Sequence, residues 1–266
     1  MTERLEDVER HRAIIEDIAD VVGALRAIAS GQMAEAQSAL DAIMRYEAQI
    51  LTAITQLTGT MPDVSGDGIT IIIGASQGFC GGYPARIADA TSALGGGGIV
   101  VIGKRSEQMM RDLGRVPDWS ADMPSSARFI PDLASAVTDQ VLELGDRHSG
   151  PIRTLSGEDR AGLPIVQKQI WPVSMPSRQS APMPLTNLPV DQLIKGMLSE
   201  VLFVQIARAI MQGFYIENRA RSDAMARAQS NLKTKRAEVE QRYRQARQEQ
   251  MTNEVIELSA GRANSR

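Results

Sequence analysis

The stretch LEDVERHRAIIEDIADVVGALRAIASGQMAEAQSALDAIMRYEAQILTAITQL, Leu5 to Leu57, carries an apolar repeat over its whole length. Val8, Ile15, Val22, Ala29, Ala36, Ile43 and Ile50 stand seven residues apart, and every one is apolar. Leu5, Ala19, Met33, Leu40 and Ile54 supply the second seam position, which Arg12, Arg26 and Glu47 interrupt. An apolar seam of this regularity predicts a coiled-coil helix, ~75 Å long at a rise of about 1.5 Å per residue. No globular core holds a helix of that length along its whole face, so the seam requires a partner helix of comparable length. Gly23 and Gly31 each cost about 1 kcal/mol relative to alanine inside a helix and read as points of close packing.

Working outward, all 12 prolines of the 266-residue chain lie between Pro62 and Pro189. Proline removes a helix hydrogen bond and clashes with the preceding turn. The proline-free ends therefore read as two helical arms with a turn-rich unit spliced between them. The second arm starts after Asn187-Leu188-Pro189, with Asp191 placed to meet the positive end of the helix dipole. Leu193, Ile194, Met197, Leu198, Val201, Leu202, Ile206, Ile210 and Met211 form a dense apolar stripe. Beyond Tyr215 the pattern thins: Met225, Leu232, Val239 and Ala246 keep the seven-residue spacing, but Gln229, Arg236, Tyr243 and Gln250 occupy the intervening seam. Residues 217–250 carry nine Arg/Lys against five Asp/Glu, which suits a helix in water or in a polar sleeve. The simplest pairing is antiparallel, arm against arm; a homodimeric coiled coil is the competing solution.

Between the arms, Gly68–Gly74 and Gly98–Gly103 are short β-branched runs closed by glycine, read as buried strands. Ala85–Leu94, Ser106–Leu113 and Ile130–Leu144 read as helices. Strand–helix–strand alternation implies a small parallel sheet with crossover helices, and a third strand falls near Ile152–Leu155 or Ile165–Pro172. Ser174–Pro189 is proline-rich and reads as a loop or extended linker. The net charge of −3 gives no general attraction to nucleic acid or membrane. Cys80 is the one cysteine, which suits a reducing compartment. No apolar run reaches the ~20 residues that span a bilayer, and the mixed charges of the first dozen residues do not resemble a signal or transit segment.

Gly74-Ala75-Ser76-Gln77-Gly78-Phe79-Cys80-Gly81 follows a strand and precedes a helix, where dinucleotide folds keep their phosphate-binding glycines. Its spacing departs from that fingerprint, and Gly103-Lys104-Arg105 ends the second strand where an acidic residue would be needed. A structural glycine turn is the plainer reading. A nucleophilic role for Cys80 would need a base, and His11 and His148 form no recognisable dyad with it. The residues point to no metal, no cofactor and no catalytic group.

Three segments together resemble the gamma subunit of F-type rotary ATP synthases. Residues 22–37 are similar to that family's I-T-x-A-M-x-M-V-A-x-x-K-L-x-x-A-Q. Residues 73–82 look like its S-D-[RK]-G-L-C-G-G turn, and 101–104 like its V-I-G-[RK] strand. Glu217, Ala220, Arg221, Ala224, Met225, Asn231, Tyr243, Ala246, Arg247, Gln248, Thr252, Glu254, Glu257 and Gly261 follow without a gap the pattern of its C-terminal segment. The departures are Ser76 and Gln77 for the acid and base of the turn, Gln32 for a lysine, Arg244 for an asparagine, and Arg153-Thr154-Leu155-Ser156 where a Y-N-x-F strand is usual. They point to a divergent branch, an ion-pumping ATPase beside the main synthase.

The resemblance implies an α/β chain in which the N- and C-terminal helices form a long antiparallel coiled coil around an inserted Rossmann-like domain, divided at 1–60, 66–186 and 187–266. It implies a central rotor stalk, itself without catalytic groups, that couples ion flow to ATP synthesis or hydrolysis. The implied partners are three alpha and three beta subunits, the epsilon subunit and the membrane c-ring, with no nucleic acid and no bilayer insertion. The implied location is the cytoplasmic face of a bacterial inner membrane. By residue match, Leu25, Arg247, Gln248 and Thr252 are expected to touch the alpha/beta ring, and Arg221 to belong to the coupling segment. A coiled-coil scaffold and a nucleotide-dependent oxidoreductase are the alternatives.

Overall fold

The computed structural model describes residues 5–58, 64–174 and 184–263. The order of elements is α1 (Leu5–Leu57), β1 (Ile69–Ile73), α2 (Tyr83–Ala90), β2 (Gly98–Ile102), α3 (Lys104–Asp112), β3 (Trp119–Ala121), α4 (Ile130–Gly145), β4 (Ile152–Gly157), β5 (Ile165–Trp171) and α5 (Val190–Ala263). The residues group into two compact units, one of 29–221 and one of residues up to 28 with those from 222 onward.

In the larger unit the sheet order is β3-β2-β1-β4-β5. β1, β2, β3 and β4 pair in parallel, and β5 returns antiparallel to β4. Both candidate third strands are therefore strands, and β3 is an edge strand of three residues, too short for a periodic signal. Side chains alternate across a strand, and the sheet is covered on both faces. Ile69, Ile71, Ile73, Val100 and Ile102 face α4 together with Ala36 and Leu40 of α1 and Leu202, Ile206, Ile210 and Phe214 of α5. Ile72 and Val101 face the opposite layer, with Tyr83 and Ile87 of α2 and Met110 of α3. Burial on both faces is why these strands read as unbroken apolar runs. The first crossover helix begins at Tyr83, with Pro84 in its first turn, and ends in a 3₁₀ turn at Thr91–Ala93. The second runs from Lys104 to Asp112, two residues earlier at its start than the apolar pattern suggested. The expected proline-rich loop lies largely outside the described residues; of its members 175–183 nothing is described.

Within the larger unit α1 and α5 run antiparallel. Glu47, which breaks the apolar seam of α1, accepts from Gln205 Nε2 at 2.7 Å and pairs with Arg208 at 2.9 Å. Ile50 packs with Val201 and Val204 beside them. The smaller unit pairs the same two helices in the same sense. Val8 and Ile15 pack on Val239, with Leu232, Tyr243 and Ala246 alongside. Here too the polar seam residues answer one another. Arg26 Nη1 donates to Gln229 Oε1 at 2.7 Å, Arg236 pairs with Glu16 at 3.1 Å, and Arg12 pairs with Glu240 at 3.7 Å while stacking 5.2 Å from the Tyr243 ring centroid. A polar residue at a seam costs stability and fixes register, and two interruptions of the α1 seam, Arg12 and Arg26, meet two of the α5 seam, Tyr243 and Gln229. Gly23 faces the Gln229 amide, as close packing requires, but beyond its chain neighbours and the nearby backbone of its own helix no described atom lies within 4 Å of where a side chain at Gly31 would start. Among the described residues Gly31 is thus not a packing point.

Candidate functional site

The turn between β1 and α2 and the stretch of α5 from Gly213 to Arg221 form one buried site at the carboxyl ends of the parallel strands. Ser76 N–H and Gln77 N–H donate to the two carboxylate oxygens of Glu217, at 3.3 and 3.0 Å. Arg221 Nη2 donates to the same carboxylate at 2.7 Å, Nη1 to Asn218 Oδ1 at 2.6 Å and Nε to Gly78 O at 3.3 Å. Cys80 Sγ lies 3.5 Å from Gln77 O, 3.5 Å from Gly78 O and 3.7 Å from Glu217 O, three acceptors within reach of its one S–H, and 3.6 Å from Arg221 Nη2. Glu217, Asn218 and Arg221 are buried, at 3, 1 and 5 % exposure. No described buried side-chain nitrogen or oxygen lacks a hydrogen-bond partner, so the polar cluster is fully satisfied and therefore rigid rather than costly.

The turn is held from its other side as well. Ser76 Oγ accepts from Met123 N at 2.7 Å and Lys104 N at 3.3 Å, and Ala75 N donates to Ser106 Oγ at 3.0 Å. Phe79 takes a left-handed φ of 64° at the apex and is exposed. Tyr83 spans the strand ends beneath, donating to Ile73 O at 3.2 Å and accepting from Gly157 N at 3.3 Å. Burial pushes its phenol far above the ordinary value.

This geometry answers the chemical readings. The backbone N–H groups that would cradle a phosphate already hold the Glu217 carboxylate, and a nucleotide would bring a second anion to the same donors. Cys80 is pushed up to about 11, chiefly by burial, with Arg221 pulling the other way. Its thiol is protonated at neutral pH, and thiolate is the reactive form. His148 touches the position of Gly98 at the start of β2, at the amino ends of the parallel strands, whereas Cys80 lies at their carboxyl ends, so no dyad forms there. Burial also raises Glu217, while Gln77 N–H, Arg221 and Ser76 N–H act in the opposite direction. Among the described residues no group of three or more His, Cys, Asp or Glu could hold a metal ion, and no helix is long and apolar enough to cross a membrane.

The sequence-derived positions separate into three environments. Arg221 is buried in the cluster just described. Leu25 is half-buried on α1, and Arg247, Gln248 and Thr252 are exposed on α5, where Thr252 Oγ1 donates to Gln248 O at 2.8 Å. Arg247, Gln248 and Thr252 therefore lie together on one exposed stretch of helix. The burial of Glu217, which heads the family-like C-terminal pattern, and of Asn218 was not evident from spacing. An acid and an arginine four apart on a charged helix read as a solvated pair, and only their place at the end of the apolar stripe hints at burial.

The family model described as ATP synthase matches residues 4–264. The chain belongs to the ATP synthase family. Among members of that family, the ATP synthase gamma chain of Beijerinckia indica is 24% identical, with 97% of this chain and 98% of that one covered. The mitochondrial ATP synthase subunit gamma of Pichia angusta is also 24% identical, with 97% of each covered. The fold is similar to a chain in the rotor of the Euglena gracilis mitochondrial ATP synthase, with a TM-score of 0.61 at 10% identity over 93% of this chain and 98% of that one. The ATP synthase assignment thus rests on both helical arms and on the sheet between them.

Proposed function

We propose that the chain is the central stalk, the gamma subunit, of an F-type ATP synthase. The observation that carries this is the family match through both arms and the sheet, on a chain whose long helices pair antiparallel in each unit. In this role the stalk turns inside a ring of three alpha and three beta subunits while its foot rests on the epsilon subunit and the membrane c-ring. The helix pair is asymmetric, since α1 and α5 differ in sequence and in length, 53 against 74 residues. Each catalytic subunit therefore meets a different face of the stalk, and differential contact shifts its conformational equilibrium. Rotation carries that bias round the ring and couples ion flow to ATP synthesis or, in reverse, to hydrolysis.

On this reading the functional segments are 1–60, 66–186 and 187–266. Leu25, Arg247, Gln248 and Thr252 contact the ring, and Arg221 acts in coupling through the turn it holds. The complex sits at the cytoplasmic face of a bacterial inner membrane, and the departures in the turn and the low identity to the gamma chains support a divergent, ion-pumping branch. A pull-down on the tagged full chain tests the stalk reading: alpha and beta subunits are expected in roughly threefold excess over it. Recovery of the chain as a homodimer without them would overturn the reading. Robust ATP synthesis by the purified complex would sink the hydrolysis-driven branch assignment alone.

A further inference from the structure

In the larger unit the sheet is fastened to its two long helices in different ways. α1 reaches the loop before α4 through exposed bonds, Gln32 Nε2 to Ser125 O at 2.7 Å and Ser126 Oγ to Glu35 Oε1 at 3.4 Å, with Ala36 and Leu40 adding apolar contact. α5 is keyed into the strand ends. Gly213 admits Ile73 of β1, and Ile216 presses on Gly157 of β4, where an added methyl would lie 2.6 Å from it. Glu217 and Arg221 grip the 76–80 turn, and Arg219 pairs with Asp159 after β4. Residues 213, 217, 220 and 221 share one helix face, so this grip covers two consecutive turns of α5.

Apolar contacts are non-directional and tolerate small rolls of a helix. Hydrogen bonds weaken steeply when their angles open, and in a dry site nothing replaces a broken one. The partner turn cannot follow a rolling helix, because Ser76 is tied to Met123 and Lys104 and Ala75 to Ser106. We propose that residues 213–221 of α5 are the torsional joint through which twist passes between the long helices and the sheet domain, with Glu217 and Arg221 as its positioning residues and α1 carrying little of the load. The purpose of such a joint rests on the stalk reading; its existence does not.

The test uses the full chain tethered for single-molecule force measurement through exposed Asp112 on α3 and exposed Asp223 on α5. The lifetime of the α5–sheet attachment is read at constant force. Glu217→Gln and Arg221→Met are each expected to shorten it about tenfold or more, the size of a lost buried charge-assisted bond. Gln32→Ala combined with Ser126→Ala is expected to change it less than twofold. Equal shortening by the α1 variants, or an unchanged lifetime in Glu217→Gln, overturns the proposal. Should Arg221→Met fail to fold, the isosteric Glu217→Gln decides. Because the chain is measured alone, a failure to recover alpha and beta subunits would sink the stalk reading and leave this result standing.

Discussion

Gly213 on α5 lies against Ile73 at the end of β1 so closely that a methyl group on its Cα would overlap Ile73 Cγ2. Residue 213 sits in the interior of a helix of 74 residues, where glycine costs about 1 kcal/mol relative to alanine. The close approach of helix and strand is what this glycine provides.

Gly213→Ala therefore sets two effects against each other. Helix propensity alone would stabilise by about 1 kcal/mol, while forcing a methyl into a filled core costs about 1–3 kcal/mol or more. Because Ile73 is fully buried, a net loss of about 1–2 kcal/mol is expected in the unfolding free energy obtained from urea denaturation. Gly31→Ala, with open space around it, should instead gain about 0.5–1 kcal/mol. A stabilised Gly213→Ala would show that α5 rides loosely on the sheet.

Two arginines on the same helix should behave in opposite ways. Arg221→Ala leaves the buried Glu217 carboxylate without its guanidinium, a kind of loss that costs about 3–5 kcal/mol. Arg247 is exposed, and Arg247→Ala should stay within about 0.5 kcal/mol of the parent. Chemical denaturation followed by circular dichroism distinguishes them, and similar values for both would contradict the buried cluster.

Alkaline pH should loosen the turn. Cys80 titrates at about 11 in the fold against an ordinary value of 9.0, so the unfolded chain gives up its proton first. The thiol's contribution is intact below about pH 9 and is lost as pH rises towards about 11, at up to about 1.4 kcal/mol per unit. Cys80→Ala is expected to flatten the stability profile over that window relative to the parent. At pH 7.5 a thiol-selective reagent should label the native chain at least tenfold more slowly than the urea-unfolded chain. Equal labelling rates would refute the burial.

The exposed stretch of α5 should matter only in the assembled complex. Replacing Arg247, Gln248 and Thr252 together by alanine is expected to leave the unfolding free energy of the isolated chain within about 0.5 kcal/mol of the parent. In the complex, ions moved per ATP hydrolysed should fall several-fold. Unchanged coupling would remove these three residues from the contact surface.

Much of the architecture was legible because it is written in local periodicity. The seven-residue seam from Val8 to Ile50 and the absence of proline outside 62–189 specify two long helices, and the runs at 69–73 and 98–102 specify buried strands. β3 was not legible, since three half-buried residues carry no period. The antiparallel turn of β5 against β4 was not legible either, because its exposed Gln167, Lys168 and Gln169 give no apolar stripe.

The helical arms, the sheet core between them and the family follow from local sequence, because periodicity, proline placement and motif spacing act over a few turns or residues. Which polar group meets which is a matter of the folded chain. Arg12, Arg26 and Glu47 looked like flaws in one seam until Tyr243, Gln229 and Arg208 were brought to them. Glu217 opens a strongly charged stretch of sequence, and the fold lays it across Ser76 and Gln77, some 140 residues away in sequence. A helical period states which face a residue occupies. What that face is pressed against depends on chain topology, and in this protein that contact turned a phosphate-like turn into the anchorage of a helix.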